Sequence, residues 1–138
     1  MPPKSASGFR EIAHTADWEL EVWAPNILGL LEQAAQGMYD LIAAQISKER
    51  RFTRQITLQF IEPEDLLIDF LNELLYLAES EELIFDHFHL VIEGNQMHAK
   101  LVGAPIKSMA KEIKAATYHH LNIVESNQGL YANIVFDV

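Results

Sequence analysis

Along Trp18-Glu19-Leu20-Glu21-Val22-Trp23 apolar and acidic side chains alternate as far as Val22. A period of two predicts a strand with one buried face. Phe9 to Ile12 forms a shorter strand ahead of it, and Pro25-Asn26 stops it. From Ile27 onward, Leu30, Leu31, Ala34, Ala35, Met38, Tyr39 and Ile42 recur at helical spacing, with Asn26 as the N-cap. Arg51 to Ile61 returns to strand character, with Phe52, Ile56, Leu58 and Phe60 separated by polar positions. Pro63 then opens a second helix, where a missing N–H costs little, and Glu64 and Asp65 suit its positive end. Leu66, Leu67, Phe70, Leu71, Leu74, Leu75 and Ala78 make its apolar face, and Glu79-Ser80-Glu81-Glu82 closes it.

Ile84 to Val102 reads as a hairpin turning at Gly94-Asn95. Pairing about that turn sets Ile92 against Met97, Leu90 against Ala99 and Phe88 against Leu101, all on one buried face. Gly103-Ala104-Pro105 is expected to end the second strand. Glu112 to Tyr118 is read as extended, and Leu121–Glu125 with Leu130–Val138 as a last hairpin around Asn127-Gln128-Gly129. Grouped strands and two amphipathic helices predict an α+β fold: a mixed or antiparallel sheet of about six strands packed against the two helices. With 138 residues, 49% of them apolar, the chain suits a single domain over residues 9–138 after a flexible tail at 1–8.

Composition narrows the chemistry. The absence of cysteine removes disulfides, thiolate metal sites and thiol nucleophiles, and favours a cytoplasmic address. The tail lacks a signal peptide's apolar centre, and no run reaches the roughly 18 apolar residues of a membrane helix. A formal charge of −10 disfavours direct phosphate-backbone binding and favours a basic partner or a cation. His87, His89 and His98 lie on the hairpin face opposite Phe88, Leu90 and Ile92, so exposure explains them better than zinc ligation. His119-His120, on an extended chain, would point to opposite faces. Asp69 and Glu73 share a helix face and are read as solvated. No phosphate-binding glycine loop, nucleophile elbow or zincin motif is present.

The remaining candidates sit near the two ends. His14-Thr15-Ala16-Asp17 interrupts the first two strands, and Val135-Phe136-Asp137-Val138 closes the sequence. If the fold joins these segments, Asp17, Asp137 and the terminal carboxylate of Val138 form a set of hard oxygen ligands. Mutual repulsion would call for a cation, and calcium accepts such irregular oxygen donors best. If it does not, Asp17 caps a turn and Asp137 merely ends a strand.

Four blocks in order resemble the archease family: His14-Thr15-Ala16-Asp17 with Ala35-Gln36-Gly37-Met38, then Asp65 to Tyr76, then Ile113 to His119, then Val135 to Val138. The resemblance covers the chain after residue 8. It implies a non-catalytic partner of the GTP-dependent tRNA-splicing RNA ligase, which joins cyclic-phosphate and 5′-hydroxyl RNA ends. Such a partner promotes guanylylation and multiple turnover, and meets RNA only through the ligase. The resemblance assigns Asp17, Asp137 and Val138 to a divalent-metal site, calcium first, and Lys114 to stimulation of the ligase. His14 becomes support for the loop presenting Asp17. Two other classes compete: a stand-alone metal-dependent hydrolase using Asp17, Asp137 and a histidine base, and a chaperone-like module.

Overall fold

The computed structural model describes residues 6–12 and 18–138. In chain order these form β1 (Gly8–Ile12), β2 (Trp18–Ala24), α1 (Ile27–Leu41), β3 (Gln45–Ile46), β4 (Phe52–Gln59) and α2 (Pro63–Ser80). The hairpin β5 (Leu83–Glu93) and β6 (Gln96–Ser108) follows, then β7 (Ala115–Thr117), β8 (Val124–Ser126) and β9 (Gly129–Asp137). The fold is α+β, with the strands divided between two antiparallel sheets rather than gathered into one sheet of about six.

Each sheet has one long strand as its spine. β9 pairs with β2 along one edge and with β8 and β7 along the other, and β1 lies outside β2. β6 carries β5 on one edge, and β4 followed by β3 on the other. Both helices touch both sheets, so one core serves all four layers. Leu30, Leu31 and Met38 from α1 and Leu66, Phe70, Leu71 and Leu74 from α2 are wholly buried against Leu20, Phe136, Met97 and Leu101.

The helices begin where the sequence places them. The Asn26 side chain accepts a bond from the Gly29 N–H at 2.9 Å, covering one of the donors a helix start leaves open. Pro63 occupies the first turn of α2, with Glu64 and Asp65 beside it. The β5–β6 register is also the expected one, with Ile92 opposite Met97, Leu90 opposite Ala99 and Phe88 opposite Leu101.

Two expectations fail for identifiable reasons. β2 is buried on both faces from Leu20 to Ala24, although its alternation predicts one. Its outer face is roofed by its own neighbours: Glu21 is 5% exposed and its carboxylate accepts from the Arg10 guanidinium of β1 at 2.6 Å. Burial together with a hydrogen bond to that carboxylate pushes the Tyr131 phenol of β9 up to about 12. Long side chains on three adjacent strands thus bury a face that period two alone assigns to solvent.

β6 also runs through Gly103-Ala104-Pro105 instead of ending there. The β5–β6 register shifts between Phe85 and His87, beside Gly103. At Gly103 a Cβ would lie 2.0 Å from the Ile84 carbonyl oxygen, so the glycine permits the close strand approach. Pro105 has no N–H to give, but its carbonyl accepts from the Ser47 N–H at 2.9 Å. The next N–H, that of Ile106, donates to the Glu82 carbonyl at 2.8 Å.

Candidate functional site

The candidate site is built where β2, β9 and β7 come together. Trp18, the first described residue of β2, pairs with Phe136 of β9. On the other edge of β9, Ala115 pairs with Asp137, and the Lys114 N–H donates to the Asp137 carbonyl at 2.8 Å. Asp137 and Val138 are exposed, as is Lys114. The structure therefore brings Lys114 and Asp137 together through the main chain. Their side chains form no ion pair, and the Asp137 carboxylate has no hydrogen-bond partner among the described residues. His14 and Asp17 lie outside the described residues. Among the described residues no group of three or more His, Asp or Glu side chains could hold a metal ion, so Asp137 and Val138 need a further donor to do so.

The segment carrying Lys114 is held on every side. Asn72, from the middle of α2, accepts from the Ala116 N–H at 2.8 Å and donates to the Ala116 carbonyl at 3.2 Å. One side-chain amide thus satisfies the outer edge of β7, an edge that would otherwise offer unpaired backbone groups. Thr117 donates through its hydroxyl to the Val135 carbonyl at 2.8 Å. The Tyr118 hydroxyl donates to Asp65 at 2.7 Å, and that bond, more than burial, raises its phenol to about 12. Upstream, the Lys111 ammonium sits 4.5 Å from the Trp18 ring centroid, tying the loop before Lys114 to the start of β2.

Asn72 is the residue that sequence reasoning misses. Its signal was an amide within the helix block Asp65 to Tyr76, at a position bordering the apolar face. Asp69, one turn earlier, is exposed; partial desolvation first, and Asp65 second, raise its carboxyl above the usual range. Neither Asp69 nor Glu73 makes an ion pair among the described residues.

The histidines divide as the pattern suggests, with one correction. His87 and His89 are exposed and His98 half-buried, its ring 3.1 Å from the Thr57 hydroxyl. His87 lies beside Asp86, whose carboxyl the Arg51 guanidinium holds below the usual range. His119 and His120 do not point apart. They occupy a turn in which His120 has φ of 56°, and their rings stack with centroids 4.0 Å apart.

Residues 9–138 match the Archease protein family (MTH1598/TM1083). Protein archease of Methanosarcina barkeri is 32% identical over 139 residues, covering 94% of this chain and 95% of its own. Protein archease of Pyrococcus abyssi is 31% identical over 134 residues, covering 91% and 94%. A crystal structure from Thermotoga maritima, described as an archease and possible chaperone, superposes with a TM-score of 0.70 at 27% identity, covering 94% of this chain and 96% of that one. The solution structure of Methanobacterium thermoautotrophicum protein 1598, at 22% identity and a TM-score of 0.70, shares the fold.

Proposed function

The chain belongs to the archease family, and from that membership we propose that it is a protein cofactor of a GTP-dependent tRNA-splicing RNA ligase. It promotes the ligase's guanylylation and repeated turnover, and does so with a metal-bearing acidic tip and Lys114. It is not itself the catalyst, and RNA reaches it only through the ligase.

The observation that carries this reading is the 2.8 Å bond from the Lys114 N–H to the Asp137 carbonyl. It holds the main chain of Lys114 against that of Asp137, whose carboxylate has no partner among the described residues, at the exposed end of β9. Asp17 lies outside the described residues and enters this reading through the family resemblance. Asp137, Asp17 and the main-chain oxygen of Val138 offer hard oxygen donors only. That donor set fits calcium or a similar divalent ion and is unsuited to softer metals. Bound there, the ion would offset the mutual repulsion of the carboxylates and hold them together at the tip. His14 supports the loop that presents Asp17.

An acidic domain of net charge −10 is drawn toward a groove built for RNA, and such attraction weakens with salt. Among the described residues no helix is long and apolar enough to cross a membrane, and a cytoplasmic site of action accords with the absence of cysteine. The test is a guanylylation assay on the ligase with Asp17→Ala, Asp137→Ala and Lys114→Ala. Each variant should lose most of the stimulation while keeping its fold. Full stimulation by all three would overturn the reading, and suppression of client aggregation by all three would favour the chaperone description given to the Thermotoga relative.

A further inference from the structure

Beside Lys114 the structure holds a cleft of about 740 Å³ between α2, the end of β6 and the loop leading to β7. Ile42, Leu75, Ile106 and Ile113 give it apolar walls. Tyr76 and Met109 line it while remaining 59% and 42% exposed, an unusual state for side chains of that size with apolar walls beside them. Five charges share the lining. Glu79 and Glu82 come from the end of α2, Lys107 and Lys114 from the opposite segments, and Glu112 lies between them in sequence. None of the five is ion-paired among the described residues.

We infer that this cleft is the affinity-determining dock for one segment of the ligase, a peptide bearing a bulky apolar residue flanked by Lys or Arg. The inference rests on the ligase-activator reading and adds where the partner is gripped. Two physical requirements meet here. Charge steering from a −10 surface speeds encounter but supplies little affinity at physiological salt, so a lasting complex needs a desolvated apolar anchor. Aromatic and methionine side chains with half their surface free are the residue types that make such anchors. The unpaired carboxylates outnumber the ammoniums around the lining, which selects a basic flank. Lys114 belongs both to the cleft lining and to the Asp137 end of β9, so a segment seated in the cleft places its chain directly beside the acidic tip.

A cleft of this size is also in the range of small-ligand sites, and a second copy of the chain could cover it. The favoured occupant is the basic segment, because the rim carries a carboxylate excess that a like-charged second copy or an anionic nucleotide would have to meet.

The experiment measures the dissociation constant for the purified ligase at several salt concentrations. It uses the full chain, the double variant Tyr76→Ala/Met109→Ala, the variant Glu79→Lys/Glu82→Lys, and Val91→Ala as an exposed apolar control on another face. Thermal melts confirm that each is folded. The double variant should bind at least about 30-fold more weakly at every salt concentration, as loss of an anchor predicts. The charge variant should weaken binding with a reduced salt dependence, and the control should match the parent. Binding of the ligase by the double variant at parent affinity would overturn the cleft assignment while leaving the activator reading intact. Absence of ligase binding by the parent chain would instead remove the activator reading on which it rests. Self-association or nucleotide binding abolished by Tyr76→Ala/Met109→Ala, with ligase affinity unchanged, would reassign the cleft to that occupant.

Discussion

At the scale of single residues, Asn72 holds the segment that carries Lys114 through bonds to Ala116. Its amide is bonded on both sides to Ala116, two residues after Lys114. Asn72→Ala leaves an N–H and a carbonyl without partners in a part-buried site, which should cost about 2–3 kcal/mol in urea unfolding. Asn72→Asp keeps the acceptor for the Ala116 N–H but sets a carboxylate oxygen against the Ala116 carbonyl, so it should not restore the parent's stability. Tyr118 gives a pH readout of the same segment. Its phenol rises from 10.0 to about 12, so between those values the unfolded chain releases a proton that the folded chain keeps. The folded state then binds more protons, and stability falls as pH rises above 10. Tyr131, also raised to about 12, adds to the same fall. Tyr118→Phe should flatten the decline in a series of alkaline melts without abolishing it. A decline identical to the parent's would mean the Asp65 bond contributes nothing.

At the scale of elements, β6 depends on one missing side chain. A Cβ at Gly103 would lie 2.0 Å from the Ile84 carbonyl oxygen and 2.6 Å from the Phe85 Cα, both backbone atoms that cannot rotate away. Gly103→Ala should therefore cost about 3 kcal/mol or more and loosen hydrogen exchange along β5 and β6 together. In α2, Leu74→Ala should cost about 2–5 kcal/mol as a plain core cavity, with no preferential loosening of that hairpin. These two elements also mark what the sequence discloses. The faces of α1 and α2 and the hairpin register are legible because their signals are local: periodicity, a cap, a turn. The course of β6 is hidden because Gly-Ala-Pro is ordinarily a stop, and only the close approach of β5 at Gly103, with its register shift, makes it a continuation. The second buried face of β2 is hidden for a related reason. Its cover comes from Arg10 and Tyr131, whose placement depends on pairing with strands 11 and about 110 residues away.

At the scale of the whole molecule, the decisive fact is that β2, near the start of the chain, pairs with β9 at its end, and β7 lies on the other side of β9. No local pattern encodes that meeting. The end blocks suggested partnership only through the family resemblance, and Asp17 itself falls outside the described residues. On the proposed reading the pairing would make metal binding a folding question, because Asp137 is adjacent to Lys114 and to the start of β2 only when the sheet is assembled. An ion that binds the assembled site and not the unfolded chain should raise stability by about 2.7 kcal/mol at a hundredfold excess over its dissociation constant. Calcium should therefore raise the melting temperature, magnesium less so, since magnesium gives up its waters reluctantly. Asp137→Asn should abolish the calcium-dependent rise. Equal calcium-dependent rises in the parent and Asp137→Asn would place the ion elsewhere. That result would separate the role of Lys114, fixed by the backbone, from that of the acidic tip.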